Sequence, residues 1–128
     1  MKIENKKINF EDARGTITDI FVKEPQSHCT IIFSKKGAIR GNHYHKQSVQ
    51  SDFIVSGKMQ IFSKKLDSDK VESKIVGPNT LITWDFSEVH AFTALEDSIF
   101  ITFVNGVRGG DDYEKDTFRV DKPLQSYL

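Results

Sequence analysis

The sequence predicts an all-β domain, and three features of the pattern support this. Apolar residues alternate with polar ones at a period of two through most of the chain. The apolar runs start roughly every 8–14 residues, with Gly, Pro, Asn or Asp between them. No segment carries a long apolar stripe with the 3.6-residue period of a helix. Short strands at even spacing are typical of a sandwich or a barrel.

The strands follow from runs of β-branched and aromatic residues, which favour a pleated, half-buried chain. They are predicted at residues 16–22, 29–34, 53–55, 59–62, 70–76, 80–84, 89–95 and 98–104. The turn Ser56-Gly57-Lys58 predicts a hairpin between the two runs that flank it. Residues 107–116 are glycine-led and acidic, which predicts a loop with one helical turn, and residues 122–124 begin an extended C-terminal end.

Length and charge limit the classes of protein to consider. A chain of 128 residues fits a single domain over 1–128, and we place the barrel core at about 10–105 and a tail at 106–128. Eighteen basic side chains balance eighteen acidic ones, which argues against a nucleic-acid partner. Residues 1–64 hold eleven basic and six acidic side chains, and residues 65–128 hold seven and twelve. Either strands from the two halves interleave and cancel this asymmetry, or a basic lobe faces an anionic ligand.

The compartment is predicted from the cysteine count and from the absence of long apolar runs. No run approaches the 18 residues of a membrane span, and the N-terminal residues lack the apolar stretch of a signal peptide. Cys29 is the single cysteine, so no internal disulfide forms and we expect a cytoplasmic protein. Because Cys29 lies in an apolar run, we interpret it as a core residue rather than a nucleophile.

Histidines are the candidate chemical groups. His43 and His45 flank Tyr44 on a predicted strand, so both imidazoles project from one face and Tyr44 from the other. His90 lies at the start of a later strand. Two imidazoles on one face suit either a metal site or proton transfer. Trp84 and Phe92 are interpreted as core residues.

The spacing around these histidines resembles the cupin superfamily. Gly37, His43, His45, Gln50 and Gly57 follow the pattern G-x5-HxH-x4-E-x6-G, with Gln in place of the usual Glu. A second stretch resembles the motif G-x5-PxG-x2-H-x3-N, in which His90 is retained and the other signature positions are replaced by Asn79, Asp85, Ser87 and Ala94. The resemblance implies a double-stranded β-helix barrel of jelly-roll type, with His43, His45, Gln50 and His90 converging inside it.

A narrower resemblance points to sugar-nucleotide chemistry. The segments 10–16 and 40–46 are similar to segments of deoxysugar-nucleotide cupins, and Gln50 matches the residue common in the WxcM-like dTDP-sugar 3,4-ketoisomerases. The tail residues 109–114 and 116–117 resemble the tails of polysaccharide-synthesis cupins. The related 3,5-epimerases share the early D-x-RG feature but arrange their histidines differently. The resemblance implies an isomerase or epimerase of a nucleotide-linked 4-keto-6-deoxy sugar in surface polysaccharide biosynthesis.

Such enzymes remove a proton beside a ketone, and a neutral histidine suits that step. We predict His43 as the base and His45 as its partner, acid or orienting group. Arg40 is predicted to stabilise the oxyanion or hold a phosphate, with a surface or interstrand salt bridge as the alternative. Tyr113 is predicted to close the barrel mouth as a proton donor or stacking platform, with a packed or disordered tail as the alternative. Predicted substrate contacts are Arg14, Lys46, Gln50 and His90, with a solvated surface charge as the alternative for Arg14 and Lys46.

The cofactor prediction depends on Gln50. With Gln50 all four potential ligands, His43, His45, Gln50 and His90, are neutral, so a divalent ion would keep its full charge. We therefore predict catalysis without a cofactor, with zinc, nickel, iron or copper at these four residues as the alternative. Two rival functions stay open, a metal-dependent cupin enzyme such as a dioxygenase and a non-catalytic sugar-binding module. Small cupins commonly pair through sheet edges, which predicts a homodimer.

Overall fold

A computed structural model describes all 128 residues of the chain and confirms the all-β jelly roll. Ten of the twelve strands form two five-stranded antiparallel sheets, with the orders β1-β9-β6-β11-β4 and β12-β5-β10-β7-β8, and β2 pairs with β3 in a separate hairpin. The strands are β1 (Lys2–Asn5), β2 (Phe10–Asp12), β3 (Gly15–Ile17), β4 (His28–Ser34), β5 (Ile39–Tyr44), β6 (Val49–Ser56), β7 (Met59–Lys65), β8 (Val71–Val76), β9 (Thr80–Thr83), β10 (Glu88–Ala94), β11 (Ser98–Asn105) and β12 (Phe118–Arg119).

Strands from the two halves of the sequence interleave in both sheets. In the first sheet β9 and β11, from the acidic half, flank β6 from the basic half. This topology supports the interpretation in which the charge asymmetry cancels. β1 and β12 lie outside the predicted core range of about 10–105, and each joins the edge of a sheet.

The predicted hairpin at Ser56-Gly57-Lys58 is wrong. β6 and β7 follow one another along the chain but lie in opposite sheets, and β7 pairs with β10 and β8 instead. The turn at Gly57 therefore crosses from one sheet to the other. A turn signal between two apolar runs shows only that the chain changes direction, whereas the pairing is decided by which faces can be buried together.

The predicted strand at 16–22 ends early. β3 stops at Ile17, and the next residues turn because the Asp19 N–H donates to Asn9 Oδ1 at 2.7 Å. Phe21 then packs edge-on against Phe103, with ring centroids 4.9 Å apart. The apolar residues after Ile17 therefore do not extend the strand, and Phe21 among them covers part of the first sheet.

Two further expectations are corrected. Residues 122–124 do not begin an extended end, because Pro123 precedes a 3₁₀ helix, Leu124–Tyr127, in which Leu124 is fully buried. Cys29 is exposed rather than in the core. β4 lies at a sheet edge, and its inward positions are those of Thr30 and Ile32, so alternation turns Cys29 outward. The single helical turn predicted in the tail is confirmed by a 3₁₀ helix at Gly110–Asp112.

Apolar side chains fill one part of the space between the sheets and polar ones fill the rest. The main core consists of nine buried residues: Ile54, Met59, Ile61, Val76, Ile82, Trp84, Phe92, Ala94 and Phe100. A second cluster, Phe62, Val89, Ala91 and Leu124, lies under the C-terminal 3₁₀ helix. Trp84 and Phe92 are therefore core residues, as predicted. Tyr44 packs against the second cluster, on the side of β5 opposite His43, which also agrees with the prediction.

No helix in the structure is long and apolar enough to span a membrane.

Gly41 and Gly37 provide a matched test of the packing between β5 and β10. Both have a backbone φ of +88°, which residues with a side chain rarely adopt. Only at Gly41 would an added Cβ meet the neighbouring strand, at 2.7 Å from the His90 carbonyl oxygen. We expect Gly37→Ala to lower the free energy of unfolding by about 1 kcal/mol through backbone strain alone. Gly41→Ala should cost roughly 2 kcal/mol more, because β5 must move away. Urea unfolding of both variants measures this, and equal losses would contradict the packing described.

Candidate active site

Three buried histidines meet inside the barrel. His43 lies on β5, His45 follows the end of that strand, and His90 lies opposite His43 on β10. Their ring centroids are 4.8 to 5.2 Å apart, and one ring nitrogen from each lies within 4.8 Å of the others. The structure thus brings together the histidines that the sequence selected, and Gln50 joins them through its Oε1, 2.9 Å from His45 Nε2.

A β-bulge on β5 sets which side chains face the site. The pairing of β5 with β10 shifts between His90 and Ala91, where Gly41 and Asn42 both adopt positive φ. An extra residue in one strand reverses the alternation of side chains. Arg40 and His43 are three positions apart, and both line the same pocket. Regular alternation would have placed them on opposite faces.

A buried carboxylate, that of Asp52, binds the side chains that pack against the histidines. Asp52 is fully buried and accepts hydrogen bonds from Thr102 Oγ1 at 2.6 Å, Trp84 Nε1 at 2.7 Å and Gln50 Nε2 at 3.0 Å. The bond to Trp84 holds the indole that stacks on His90, with centroids 4.8 Å apart. Burial raises the pKa of Asp52, and the three donors act against that shift. Asp52 therefore orients both Gln50 and Trp84.

All three imidazoles are neutral at ordinary pH because burial penalises their charged forms. Burial, followed by the charges of His45 and Arg108, lowers the pKa of His43 to about 3. Burial also lowers the pKa of His45 and holds the pKa of His90 well below its usual range. A cluster of this kind offers lone pairs to a proton or to a metal ion.

A pocket of about 550 Å³ opens beside the histidines, and of the three only His43 lines it. Three arginines, Arg40, Arg108 and Arg119, lie in its wall with Tyr113 and Gln50. The Arg108 guanidinium lies over the Tyr113 ring, 4.5 Å from its centroid, and donates to Gln50 Oε1 at 3.2 Å. A larger cavity of about 720 Å³ borders the β7–β8 turn and contains none of these groups. The arginine-rich pocket is therefore the candidate active site.

The remaining predicted contacts are distributed unevenly. Arg14 is exposed and pairs with Asp12 in the β2–β3 hairpin, with Nη2 2.7 Å from Oδ2, so it lies outside the pocket. Lys46 lies over the Phe118 ring at 4.6 Å and does not line the pocket either. His90 is fully buried, and its Nε2 has no hydrogen-bond partner. His90 is thus buried and does not line the pocket.

Sequence reasoning missed four site residues, Asp52, Arg108, Asp116 and Arg119. Asp52 lies two positions after Gln50 on the same strand, so strand alternation alone places it on the same face. Arg108 adjoins the Gly109-Gly110 segment of the tail, and Asp116 belongs to the tail that the resemblance had marked. Two of the three pocket arginines come from the acidic half of the chain. The local basic character therefore does not follow from the charge of either half.

The cupin resemblance raises the question of a metal, and the donor set can be tested against it. Three neutral imidazoles with nitrogens within 4.8 Å, one of them the unpartnered His90 Nε2, suit a borderline ion such as zinc, nickel, iron or copper. Gln50 suits it less well, because its Oε1 already accepts a hydrogen bond from Arg108. The histidines fit a metal ion, and the predicted fourth ligand is engaged elsewhere.

Comparison with known proteins identifies the family. The model of the polysaccharide biosynthesis C-terminal domain matches residues 10–118. The chain belongs to this family. The match includes both predicted histidine motifs and most of the tail. The chain matches no curated protein significantly.

Solved structures share the fold of this family member. The dTDP-4-dehydrorhamnose 3,5-epimerase from Sulfolobus tokodaii superposes with a TM-score of 0.75 at 22% identity, covering 93% of this chain and 74% of that one. QdtA, a sugar 3,4-ketoisomerase from Thermoanaerobacterium thermosaccharolyticum solved with TDP, superposes with a TM-score of 0.74 at 18% identity, and the match covers 98% of this chain and 90% of QdtA. The capsular polysaccharide assembling protein CapF from Staphylococcus aureus superposes with a TM-score of 0.66 at 24% identity, and the match covers 91% of this chain and 33% of CapF.

The lowered pKa of His43 predicts how stability depends on pH. Below pH 6.5 the unfolded chain binds a proton at this residue, whereas the folded chain does so only near pH 3. The free energy of unfolding therefore falls as the pH decreases through this window. Between pH 6.5 and 4.5 the wild type should lose about 2 kcal/mol more than His43→Gln, which lacks the titrating group. Denaturant unfolding at several pH values measures both slopes, and parallel slopes would contradict a neutral, buried His43.

Proposed function

We propose that this chain is an isomerase or epimerase of a nucleotide-linked 4-keto-6-deoxy sugar in surface polysaccharide biosynthesis. The family is one of polysaccharide biosynthesis, and the structures that share its fold include a dTDP-sugar 3,5-epimerase and a 3,4-ketoisomerase solved with TDP. One observation carries the proposal. A neutral histidine, His43, lines a pocket whose wall contains three arginines.

The arginines suit an anionic ligand with a reacting carbonyl. Arg40 is anchored by its Nε to Ser34 Oγ at 2.7 Å, and Arg108 by its Nε to Thr117 Oγ1 at 3.2 Å. Arg119 is paired with Glu114, so the excess positive charge in the pocket wall comes from Arg40 and Arg108. Guanidinium groups form charge-assisted, often bidentate bonds to phosphate and to a developing oxyanion. We assign the nucleotide diphosphate and the enolate oxygen to this wall.

His43 acts as the base in this mechanism. Its ring nitrogen takes the proton from the carbon next to the ketone, and the electrons of that C–H bond form an enolate on the ketone oxygen. If the hydroxyl proton on the deprotonated carbon moves to the enolate oxygen, and His43 exchanges its proton with solvent and then protonates the former ketone carbon, the carbonyl moves by one carbon. If a proton instead returns to the original carbon from the other face, its configuration inverts. Tyr113 is our candidate donor for that second case, because it also lines the pocket.

With a pKa of about 3, His43 is a weak base in the free protein, and we expect the bound substrate to raise this pKa. The negative charge of a bound diphosphate raises the pKa of a nearby histidine. His45 packs against the His43 ring behind the pocket wall, with ring centroids 4.9 Å apart. We do not place Arg14 or Lys46 in the phosphate site, because neither lines the pocket in this chain.

Deuterium exchange tests this function. Incubation with dTDP-4-keto-6-deoxyglucose in D₂O, and with its UDP and GDP counterparts, should introduce deuterium at a carbon beside the ketone. His43→Gln should slow exchange by about 10² to 10⁴-fold, because general base catalysis contributes that much. Tyr44→Phe is the matched control, since Tyr44 faces the outside of the barrel and should exchange at the wild-type rate. Mass spectrometry and proton NMR follow the label. Absence of exchange with every nucleotide would leave a non-catalytic sugar-binding module as the better explanation.

A metal-dependent enzyme is the second candidate, and the unpartnered His90 Nε2 in the histidine cluster favours it. A metal ion held by His43, His45 and His90 would polarise a bound carbonyl as a Lewis acid. Our leading proposal predicts that protein dialysed against a chelator keeps its exchange activity. If activity is lost and is restored by one equivalent of zinc, nickel, iron or copper, the metal-dependent candidate replaces it. Elemental analysis before and after dialysis reports the occupancy.

We also propose a homodimer in the cytoplasm. The edge strand β4 exposes Cys29, Ile31 and Phe33 on its outward face, and its outer edge has no partner strand in the sheet. Exposed apolar strands of this kind are commonly covered by another chain. A free, exposed cysteine supports a reducing compartment.

A further inference from the structure

A buried carboxylate in the tail binds the segment that follows the histidine motif. Asp116 is only 2% exposed, and its carboxylate accepts hydrogen bonds from three consecutive main-chain N–H groups. These belong to Lys46, Gln47 and Ser48, at 2.9, 2.9 and 2.7 Å. Although burial alone would raise the pKa of Asp116, these donors hold it below its ordinary value. The carboxylate is therefore charged, and it fixes the chain immediately after His45.

The same residue also binds the His45 ring. His45 Nδ1–H donates to the main-chain carbonyl oxygen of Asp116 at 2.6 Å. A carbonyl oxygen only accepts, so Nδ1 carries a proton whatever the state of the other nitrogen. In the neutral ring Nε2 then carries the lone pair, and it lies 2.9 Å from Gln50 Oε1, which is itself an acceptor and takes its hydrogen bond from Arg108. Asp116 thus determines the tautomer of His45 as well as the path of its backbone.

The tail extends this alignment to His43. Beyond Asp116 the chain forms β12, which pairs with β5 and places Arg119 opposite His43. Thr117 Oγ1 accepts from Arg108 Nε and donates to the Tyr113 carbonyl oxygen. The segment from Arg108 to Arg119 is here called the strap. Asp116 is the point at which the strap is tied to the barrel by several bonds at once.

We propose that Asp116 is a positioning residue, which holds His45 in the Nδ1–H tautomer and directs His45 Nε2 toward Gln50 and Arg108 beside the catalytic His43. The inference deepens the proposed isomerase or epimerase function and rests on it for the kinetic consequences. Its geometric part, the tautomer of His45, stands without it. Groups that orient catalytic or ligating histidines contribute about 10 to 100-fold to activity when they are tested by substitution.

The test compares Asp116→Ala and Asp116→Asn with Asp121→Asn, an exposed carboxylate of the same tail. We expect Asp116→Ala to lower kcat by about 10 to 100-fold with KM changed less than threefold, because His45 loses its orientation while the pocket arginines remain. Asp116→Asn keeps one acceptor oxygen but presents an N–H₂ group to a main-chain donor, so its loss should be intermediate. Asp121→Asn should match the wild type.

The direct measurement is the ¹⁵N NMR spectrum of the histidine rings. In the wild type the His45 signal should show a protonated Nδ1, and in Asp116→Ala it should shift toward a mixture of the two tautomers. A wild-type His45 protonated at Nε2 alone would overturn the inference, whatever the variants do. So would a folded Asp116→Ala with an unchanged His45 signal and unchanged kcat. If the wild type shows no sugar exchange, the proposed function fails, and the ring spectrum still decides the role of Asp116.

Discussion

The burial of three imidazoles in contact with one another is the constraint on which this structure depends. Charged rings at centroid distances of about 5 Å would repel one another and lose their hydration, so the cluster must be neutral. Neutral rings in turn need defined hydrogen-bond partners, because each then has one donor and one acceptor nitrogen. The donor nitrogen of His45 finds its partner in the Asp116 carbonyl oxygen, and that of His90 in the Glu88 carbonyl oxygen. These carbonyl oxygens fix the tautomers of both rings, and His90 Nε2 is left without a hydrogen-bond partner.

The barrel meets this constraint by dividing its interior. Along β6 the inward side chains change from Gln50 and Asp52 to Ile54, and along β10 from His90 to Phe92. The apolar part supplies the hydrophobic stabilisation that offsets the desolvation of the polar part. Asp52 lies at the boundary, where it binds Gln50 on one side and the Trp84 indole on the other. The rigidity of the core is thereby transmitted to the histidine site.

Much of the fold and of the histidine cluster could be predicted because both depend on local patterns. Period-two alternation identified β4, β8, β10 and β11 nearly to their ends, and the spacing of His43, His45 and Gln50 indicated a shared face. The hairpin prediction failed because it required knowledge of which strands pair with one another. Nothing local shows that β6 and β7 belong to different sheets. The bulge at Gly41 and Asn42 also depends on pairing, because it is set by the register between β5 and β10. Regular alternation without the bulge would place Arg40 on the face of β5 opposite His43.

Three of the residues missed in the site, Arg108, Asp116 and Arg119, are far from His45 in sequence, and only the folding of the tail over the barrel brings them there. The measurement that tests the central claim most directly is a crystal structure with a bound dTDP-4-keto sugar. The account predicts that a His43 ring nitrogen lies about 3 to 3.5 Å from a carbon beside the ketone, with the diphosphate against the pocket arginines. A sugar bound elsewhere, or a metal ion between His43 and the ketone, would contradict it.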